Sequence, residues 1–250
     1  MKRASLILLF AMLFGVISAA TDSLFIKGNQ LYQQGRYELA LEQYRMILES
    51  GLESADLYYN MGNAAYRSNS IGYAILYFEK ALKLDPSHED ASNNLEFASR
   101  YRVDTFEEVP ELFIRTWMRA FLMRFSERTW SLVSLLLFAL ITLSVLVYIF
   151  ARPLLLKKVG FFTALIGIAI FISTFAAAIA RHKSIVHPDA AIILAPSVVV
   201  RSSPSDTGTE LFILHEGTRI KVNEGVTGWQ NIRVIDGREG WISSSDFESI

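Results

Sequence analysis

Two runs of the chain, Trp130 to Phe150 and Gly160 to Ala180, are each about 21 residues long and carry no charged side chain. A hydrocarbon layer of about 30 Å is crossed by roughly 20 helical residues at about 1.5 Å rise. In lipid a lone segment satisfies all its backbone N–H and C=O groups only as a helix. Buried helices of a soluble core are usually shorter and keep a polar stripe, which neither run has. The sequence therefore predicts two membrane-spanning helices, 130–150 and 160–180, joined by a basic loop over 151–159 that contains Arg152, Lys157 and Lys158. In the second run Ala169, Ser173 and Ala177 recur at four residues, after an earlier pair, Gly160 and Ala164. Such a small-residue stripe lets another helix approach, and the first span is the nearest candidate.

Charge is distributed unevenly. The chain is −1 overall, but residues 105–183 hold nine Lys/Arg against four Asp/Glu, whereas 21–104 and 184–250 are each about −4. The basic groups thus lie beside lipid, and the acidic soluble parts argue against nucleic acid, which needs a clustered basic surface. Cysteine is absent, so disulfides, cysteine metal sites and a cysteine lipid anchor are excluded.

At the N-terminus Lys2 and Arg3 precede an apolar stretch ending in Ser18, Ala19 and Ala20, the pattern of a secretory signal over 1–20, with cleavage expected after Ala20. Export of residue 21 onward, followed by two spans, returns the tail to the same side. Flanking charge does not decide the topology, because Arg115, Arg119, Arg124, Arg128, Arg181 and Lys183 outnumber the three in the loop. The secretory start does decide it, and places 151–159 in the cytoplasm.

Residues 21–104 carry a period. At an offset of 34, Gly28 superposes on Gly62, Asn29 on Asn63, Tyr32 on Tyr66, Ala40 on Ala74, Tyr44 on Phe78 and Leu48 on Leu82. Each unit, 21–54 and 55–88, predicts two amphipathic helices, over 23–35 and 38–50, then 55–68 and 71–84, turning at Gly35 and Asn69. A further helix, about 90–102, caps the array. Tyr58, Gly62, Tyr66, Ala74, Phe78, Ala81 and Pro86 resemble the tetratricopeptide repeat, with Gly28, Ala40 and Tyr44 as the looser counterparts in the first unit. Lys27 and Leu52 depart from that pattern. The small residues would let paired helices approach, the aromatic rings would fill the space between them, and Pro86 would end the last helix. Arrays of this kind usually need about three units, so two units and a cap are expected to lean on the membrane or a partner.

The repeat resemblance implies a concave binding face of Phe25, Asn29, Tyr32, Gln33, Tyr59, Asn63, Tyr66 and Arg67, with the asparagines toward a ligand backbone, or else half of these residues in ordinary helix packing. The clamp that such arrays use for a terminal carboxylate is not expected, because Asp90 and Asn94 stand where it needs basic side chains.

Between Thr105 and Arg128, residues Phe113, Trp117, Phe121 and Phe125 alternate with Arg115, Arg119, Arg124 and Arg128, after an acidic start at Glu107, Glu108 and Pro110. This predicts an amphipathic juxtamembrane segment over 105–129, aromatic toward acyl chains and basic toward phosphate, or a plain linker helix packed on the repeats.

The tail, 184–250, reads as short strands: "AIIL", "SVVVRS", "ELFIL", "TRIKV", "WQNIRV" and "EGWIS", with Asp236-Gly237 as a two-residue hairpin turn. The order of "VVVRSSPS", "LHEGTRIKV" and "GWQNIRVIDGREGWI" resembles the bacterial SH3-like domain. That resemblance implies a peptide or cell-wall groove near Trp229 and Trp241, although both rings are expected chiefly to plug the barrel.

Histidines 88, 182, 187 and 215 are scattered, and no nucleophile elbow, phosphate loop or metal-ligand pair is present, so neither catalysis nor a cofactor or metal is expected. The fold expected is a multidomain membrane protein: all-α tetratricopeptide repeats, a two-helix transmembrane hairpin and a small all-β SH3-like barrel. This order of modules, with "NMGNAAY" and "VRSSPSDTGTELFILHEGT", resembles the BatE-type proteins of the Bacteroides aerotolerance operon. The resemblance implies a non-enzymatic inner-membrane scaffold with both soluble domains in the periplasm. Its partners would be protein segments, among them von Willebrand A-domain membrane proteins of the same operon, and the lipid bilayer. A peptidoglycan-binding anchor acting through the SH3-like domain is the alternative.

Overall fold

The structure is a computed structural model that describes residues 22–106, 113–186 and 188–250. The expected signal peptide, Glu107, Glu108, Pro110 and His187 lie outside the described residues. Two compact units form. One contains the repeat helices and the strands, and the other contains the two apolar helices with the segment that precedes them.

The first unit begins with α1 (22–33), α2 (Tyr37–Glu49), α3 (Ala55–Arg67), α4 (Ile71–Leu84) and α5 (Glu89–Ser99). Each of the helices α1 and α3 ends in the same way. The Gly35 N–H reaches the Tyr32 carbonyl and Arg36 N–H the Leu31 carbonyl, while one period later Asn69 reaches Tyr66 and Ser70 reaches Ala65. This pair of bonds needs a left-handed residue just past the helix, and Gly35 (φ 76°) and Asn69 (φ 62°) supply it. Ser54 caps α3 by accepting from the Leu57 N–H, and the His88 ring caps α5 by accepting from Ala91. The repeat residues Gly28, Ala40, Tyr44, Tyr58, Gly62, Ala74, Phe78 and Ala81 are all buried, and Pro86 follows the end of α4. A Cβ on Gly28 would lie 2.4 Å from the Tyr44 ring, and one on Gly62 would lie 2.5 Å from the Phe78 ring. Glycine is therefore what lets the two helices of each unit close on an aromatic ring.

The strands are β1 (Ala190–Ile193), β2 (Ser197–Arg201), β3 (Glu210–His215), β4 (Arg219–Val226), β5 (Trp229–Val234), β6 (Glu239–Ser243) and β7 (Phe247–Ser249). They form one antiparallel sheet in the order β3-β2-β6-β5-β4-β1-β7, whose ladder stays open between β3 and β7. The sheet wraps around one core of Ala191, Ile193, Val198, Val200, Leu214, Ile220, Ile232, Val234 and Ile242, the small SH3-like architecture. Strand β7 is missed by pattern, since three residues cannot show an alternation. The Asp236-Gly237 turn differs from the expected two-residue form. Val234 N–H bonds the Arg238 carbonyl and Gly237 N–H bonds the Val234 carbonyl, so the loop has three residues, Ile235, Asp236 and Gly237. Only Gly237 takes a positive φ (91°), whereas either favoured two-residue turn would require positive φ at its first central position, Asp236.

Within this same unit the sheet packs on α4. Gly217, at φ 81°, comes so close to Ile75 that a Cβ would stand 2.8 Å from its Cδ1. The Glu216 carboxylate accepts from the Gly72 N–H in the first turn of α4, one of the amides that a helix start leaves without an internal partner. Arg219 pairs with Glu79, and Lys80 with Glu248. Helix α4 is consequently buried on two faces, through Ala74 and Phe78 on one side and Ile75 on another. The array, expected to lean on the membrane or a partner, also packs on the chain's own sheet. The closing latch is Asp104, just past α5. Its Oδ2 accepts from the His215 N–H and the Thr218 hydroxyl, each at 2.7 Å, and its Oδ1 sits 2.9 Å from His215 Nδ1. Burial pushes the Asp104 carboxyl up, but the hydrogen bonds from His215 and Thr218 outweigh it and hold the group below the usual carboxylate range.

The second unit comprises α6 (Phe113–Leu122), α7 (Glu127–Phe150) and α8 (Leu154–Val186). Helices α7 and α8, of 24 and 33 residues and mean hydropathy 2.7 and 2.3, are long and apolar enough to cross a membrane. The connection between them is much shorter than the expected 151–159. The Pro153 carbonyl accepts the Lys157 N–H, so α8 starts at Leu154 and Lys157 and Lys158 sit in its first two turns, with Arg152 alone in the link. Proline suits a helix start, because its fixed φ is helical and its missing N–H would be unpartnered anyway. The seam between α7 and α8 also differs from the expected stripe. Gly160, Ala164, Gly167, Thr174, Ala177 and Ala178 are buried, while Ala169 and Ser173 are exposed. A spacing of four throughout drifts off a 3.6-residue helix face, whereas alternating steps of four and three stay on it. At Gly160 the approach is to backbone, since a Cβ would lie 2.7 Å from the Ser144 carbonyl oxygen. Lower in the pair the Ser134 hydroxyl donates to Thr174 Oγ1. The juxtamembrane segment is not one continuous helix, because α6 ends at Leu122 and Ser126 caps a new one. Phe113, Ile114, Trp117 and Met118 of α6 are exposed, and the Trp130 indole N–H donates to the Leu122 carbonyl.

Candidate partner-binding surfaces

The helices α1, α3 and α5 carry the expected binding face. Asn29 and Asn63 are engaged within the array: Asn29 Oδ1 accepts from the Tyr44 hydroxyl at 2.7 Å and from the Asn60 amide at 3.4 Å, and Asn63 Oδ1 accepts from the Asn94 amide at 2.7 Å. Both inter-helix bonds span 31 residues, so they tie each first helix to the next. Phe25 packs against Tyr44, and Tyr59 lies between Phe78 and His88. Gln33 is exposed. These positions hold the array together more than they present donors.

Tyr32, Tyr66 and Arg67 are arranged differently. The Arg67 guanidinium lies 5.3 Å from the centre of the Tyr37 ring, and its Nε–H and one Nη2–H donate to the Tyr37 hydroxyl at 3.1 and 2.9 Å. Tyr32 meets Tyr37 edge-on, and Tyr66 meets Tyr101 edge-on. Hydrogen bonding with Tyr101 pushes the Tyr66 phenol above its ordinary value, and burial does the same for Tyr32. Together Tyr37, Tyr66, Arg67, Asn69, Ile71 and Tyr101 line an open cavity of about 310 Å³. Sequence pattern singled out Tyr66 and Arg67 but missed Tyr37, Asn69, Ile71 and Tyr101. Tyr37 and Ile71 start the second helices, Asn69 is the turn residue between two helices, and Tyr101 lies beyond α5, where a repeat register carries no information.

On the sheet, neither Trp229 nor Trp241 plugs the barrel, contrary to expectation. Both are half-buried on the face opposite the core, since Ile232 and Ile242 take the inward positions of β5 and β6. Trp229 pairs with Ser243 and Trp241 with Asn231, which makes the two rings diagonal neighbours on one face, within reach of each other by strand geometry. Trp241 also pairs across to Arg201 of β2. Among the described residues no group of three or more His, Asp or Glu side chains is placed to hold a metal ion.

Comparison with known proteins matches two families to these regions. The tetratricopeptide repeat matches residues 55–88, and the bacterial SH3 domain matches residues 196–248. The chain thus carries both modules. Protein O-mannosyl-transferase TMTC1 of Homo sapiens is 32% identical over 75 residues, and its Mus musculus counterpart is 33% identical over 75 residues. Each alignment covers 30% of this chain and 8% of the relative, so the chain spans less than a tenth of the length of the curated relatives it matches. Modules of these two kinds are generally binding modules for protein segments or cell wall.

Proposed function

We propose that this protein is a non-enzymatic inner-membrane scaffold that holds its repeats and SH3-like domain in the periplasm and binds protein partners there. The observation that carries the proposal is the joining of the repeat array and the SH3-like sheet into one body, through Asp104 and Glu216, in a chain with two membrane-length helices. Such a body presents a binding face at fixed geometry. The BatE-like order of modules makes von Willebrand A-domain membrane proteins the first partners to try, in a complex that serves aerotolerance or envelope stress. The test is co-purification of the co-expressed partner with wild type and with the Tyr66→Ala, Arg67→Ala double variant. Loss of recovery supports the scaffold, and undiminished recovery removes the repeat face from the proposal. Topology is tested by single cysteines introduced at 69, 155 and 236: labelling from the periplasm is expected at the first and last only.

The half-buried tryptophan pair on the outer face of the sheet favours a second proposal, a peptidoglycan-binding anchor. Co-sedimentation of the full chain with purified sacculi that is lost in Trp229→Ala, Trp241→Ala would support it. No sedimentation leaves the scaffold alone.

A further inference from the structure

We infer that the cavity beside Arg67 takes a protein segment that presents a carboxylate next to an apolar or aromatic side chain. The inference rests on the scaffold proposal and names the class of segment the repeats would hold.

Among the described residues Arg67 is the only charged one lining the cavity. Among the described residues no carboxylate lies within 4.0 Å of it: its hydrogen bonds go to the Tyr37 hydroxyl alone. A guanidinium has five N–H donors in a rigid fork. Tyr37 uses the Nε–H and one Nη2–H, which leaves both Nη1 donors and the second Nη2 donor, and so leaves the end-on edge that matches two carboxylate oxygens. Tyr37 does more than accept: its ring under the cation and its hydroxyl on two donors hold the planar group in one orientation, which lowers the ordering cost of binding an anion. The other walls set what accompanies the anion. Tyr37, Tyr66, Tyr101 and Ile71 give apolar and aromatic surface, and at about 310 Å³ the cavity lies at the small end of ligand sites, which begin near about 300 Å³. An isolated acid would leave those rings uncovered, and an isolated hydrophobe would leave the guanidinium without a counter-charge. A segment with both, adjacent in sequence, satisfies the site. Asp90 and Asn94, which stand where repeat arrays place a terminal-carboxylate clamp, do not line the cavity, so an internal Asp or Glu is sufficient.

The test uses the full chain in detergent against a bead library of N-acetylated, C-amidated hexapeptides randomised over the ordinary amino acids and phosphoserine. The expected result is enrichment of Asp or Glu beside Leu, Ile, Phe or Tyr, with the best binder weakened about tenfold by Arg67→Gln, less by Arg67→Lys, and further by added salt. Arg67 is exposed, so these variants keep the fold, and unchanged thermal unfolding verifies it. Binders without acidic enrichment, or indifferent to Arg67→Gln, overturn the carboxylate assignment and leave the scaffold standing. Enrichment of phosphoserine over Asp and Glu also overturns it. Absence of any binder refutes this inference and the repeat-face binding on which it rests.

Discussion

Replacing Asp104 by Ala should open the joint between the repeats and the sheet. The side chain is 11% exposed and accepts from the His215 N–H, the Thr218 hydroxyl and His215 Nδ1. The imidazole is 34% exposed and can turn to water, so its loss is discounted. The other two donors have no such escape, because Thr218 is 2% exposed and the amide is fixed in the chain. A buried donor left unsatisfied costs about 1–3 kcal/mol, so the two together cost about 2–6 kcal/mol. Asp104→Asn keeps the shape and one acceptor and should cost about half as much. The assay is hydrogen exchange of the 215–218 amides in the intact chain, since local opening is defined even where one global unfolding energy is not. At about 1.4 kcal/mol per decade, the Ala variant should exchange there at least about thirtyfold faster, with α7 and α8 unchanged. Acceleration below about threefold would refute the joint. The pH dependence has a definite sign. The folded Asp104 pKa is depressed, so its contribution is present above the unfolded carboxyl value of about 3.9 and is lost as pH falls through the lower folded value. Acid should therefore loosen wild type at these amides and leave Asp104→Asn nearly flat.

Further expectations concern packing and ionisation. Gly62→Val drives a side chain into the buried Phe78 ring and should cost about 3 kcal/mol in thermal unfolding of the helical signal, partly recovered by Phe78→Leu; an additive double variant would show that the two do not touch. Gly160→Leu meets the Ser144 backbone, which cannot yield as a side chain can, and should abolish disulfide cross-linking between cysteines introduced at 141 and 167 that wild type supports. Burial pushes the Tyr44 phenol up to about 12, and Tyr58 and Tyr77 are raised by the same cause. A raised folded value means stability present below the unfolded pKa of about 10 and lost as pH rises toward the folded one, so the array should weaken between about pH 10 and 12. Tyr44→Phe should flatten part of that loss in an alkaline unfolding series.

Much of the architecture is legible along the chain because its causes are local. Two charge-free runs of spanning length, the 34-residue offset, and glycine facing an aromatic ring in both units follow from consecutive residues, and α1 to α5 begin and end within about three residues of their expected bounds. Even the turns could be read, since Gly35 and Asn69 are the residues that tolerate a left-handed backbone. The binding surfaces were half legible. The repeat register pointed to Tyr66 and Arg67, but Tyr37 and Tyr101 reach the same cavity from a second helix and from beyond the cap. Which side of β5 and β6 faces inward was decided by Ile232 and Ile242 filling the core, which turned Trp229 and Trp241 outward.

The sequence alone determined which segments suit lipid, which form helices in pairs and which form strands, because hydrophobic length and periodicity act over neighbouring residues. The tertiary structure alone decided that the short array is completed by its own SH3-like sheet, through contacts such as Asp104 with His215, 111 residues apart, and Gly72 with Glu216, 144 apart. Such pairs leave no periodic trace, since each is one acceptor meeting one donor, and only the folded chain brings the two together.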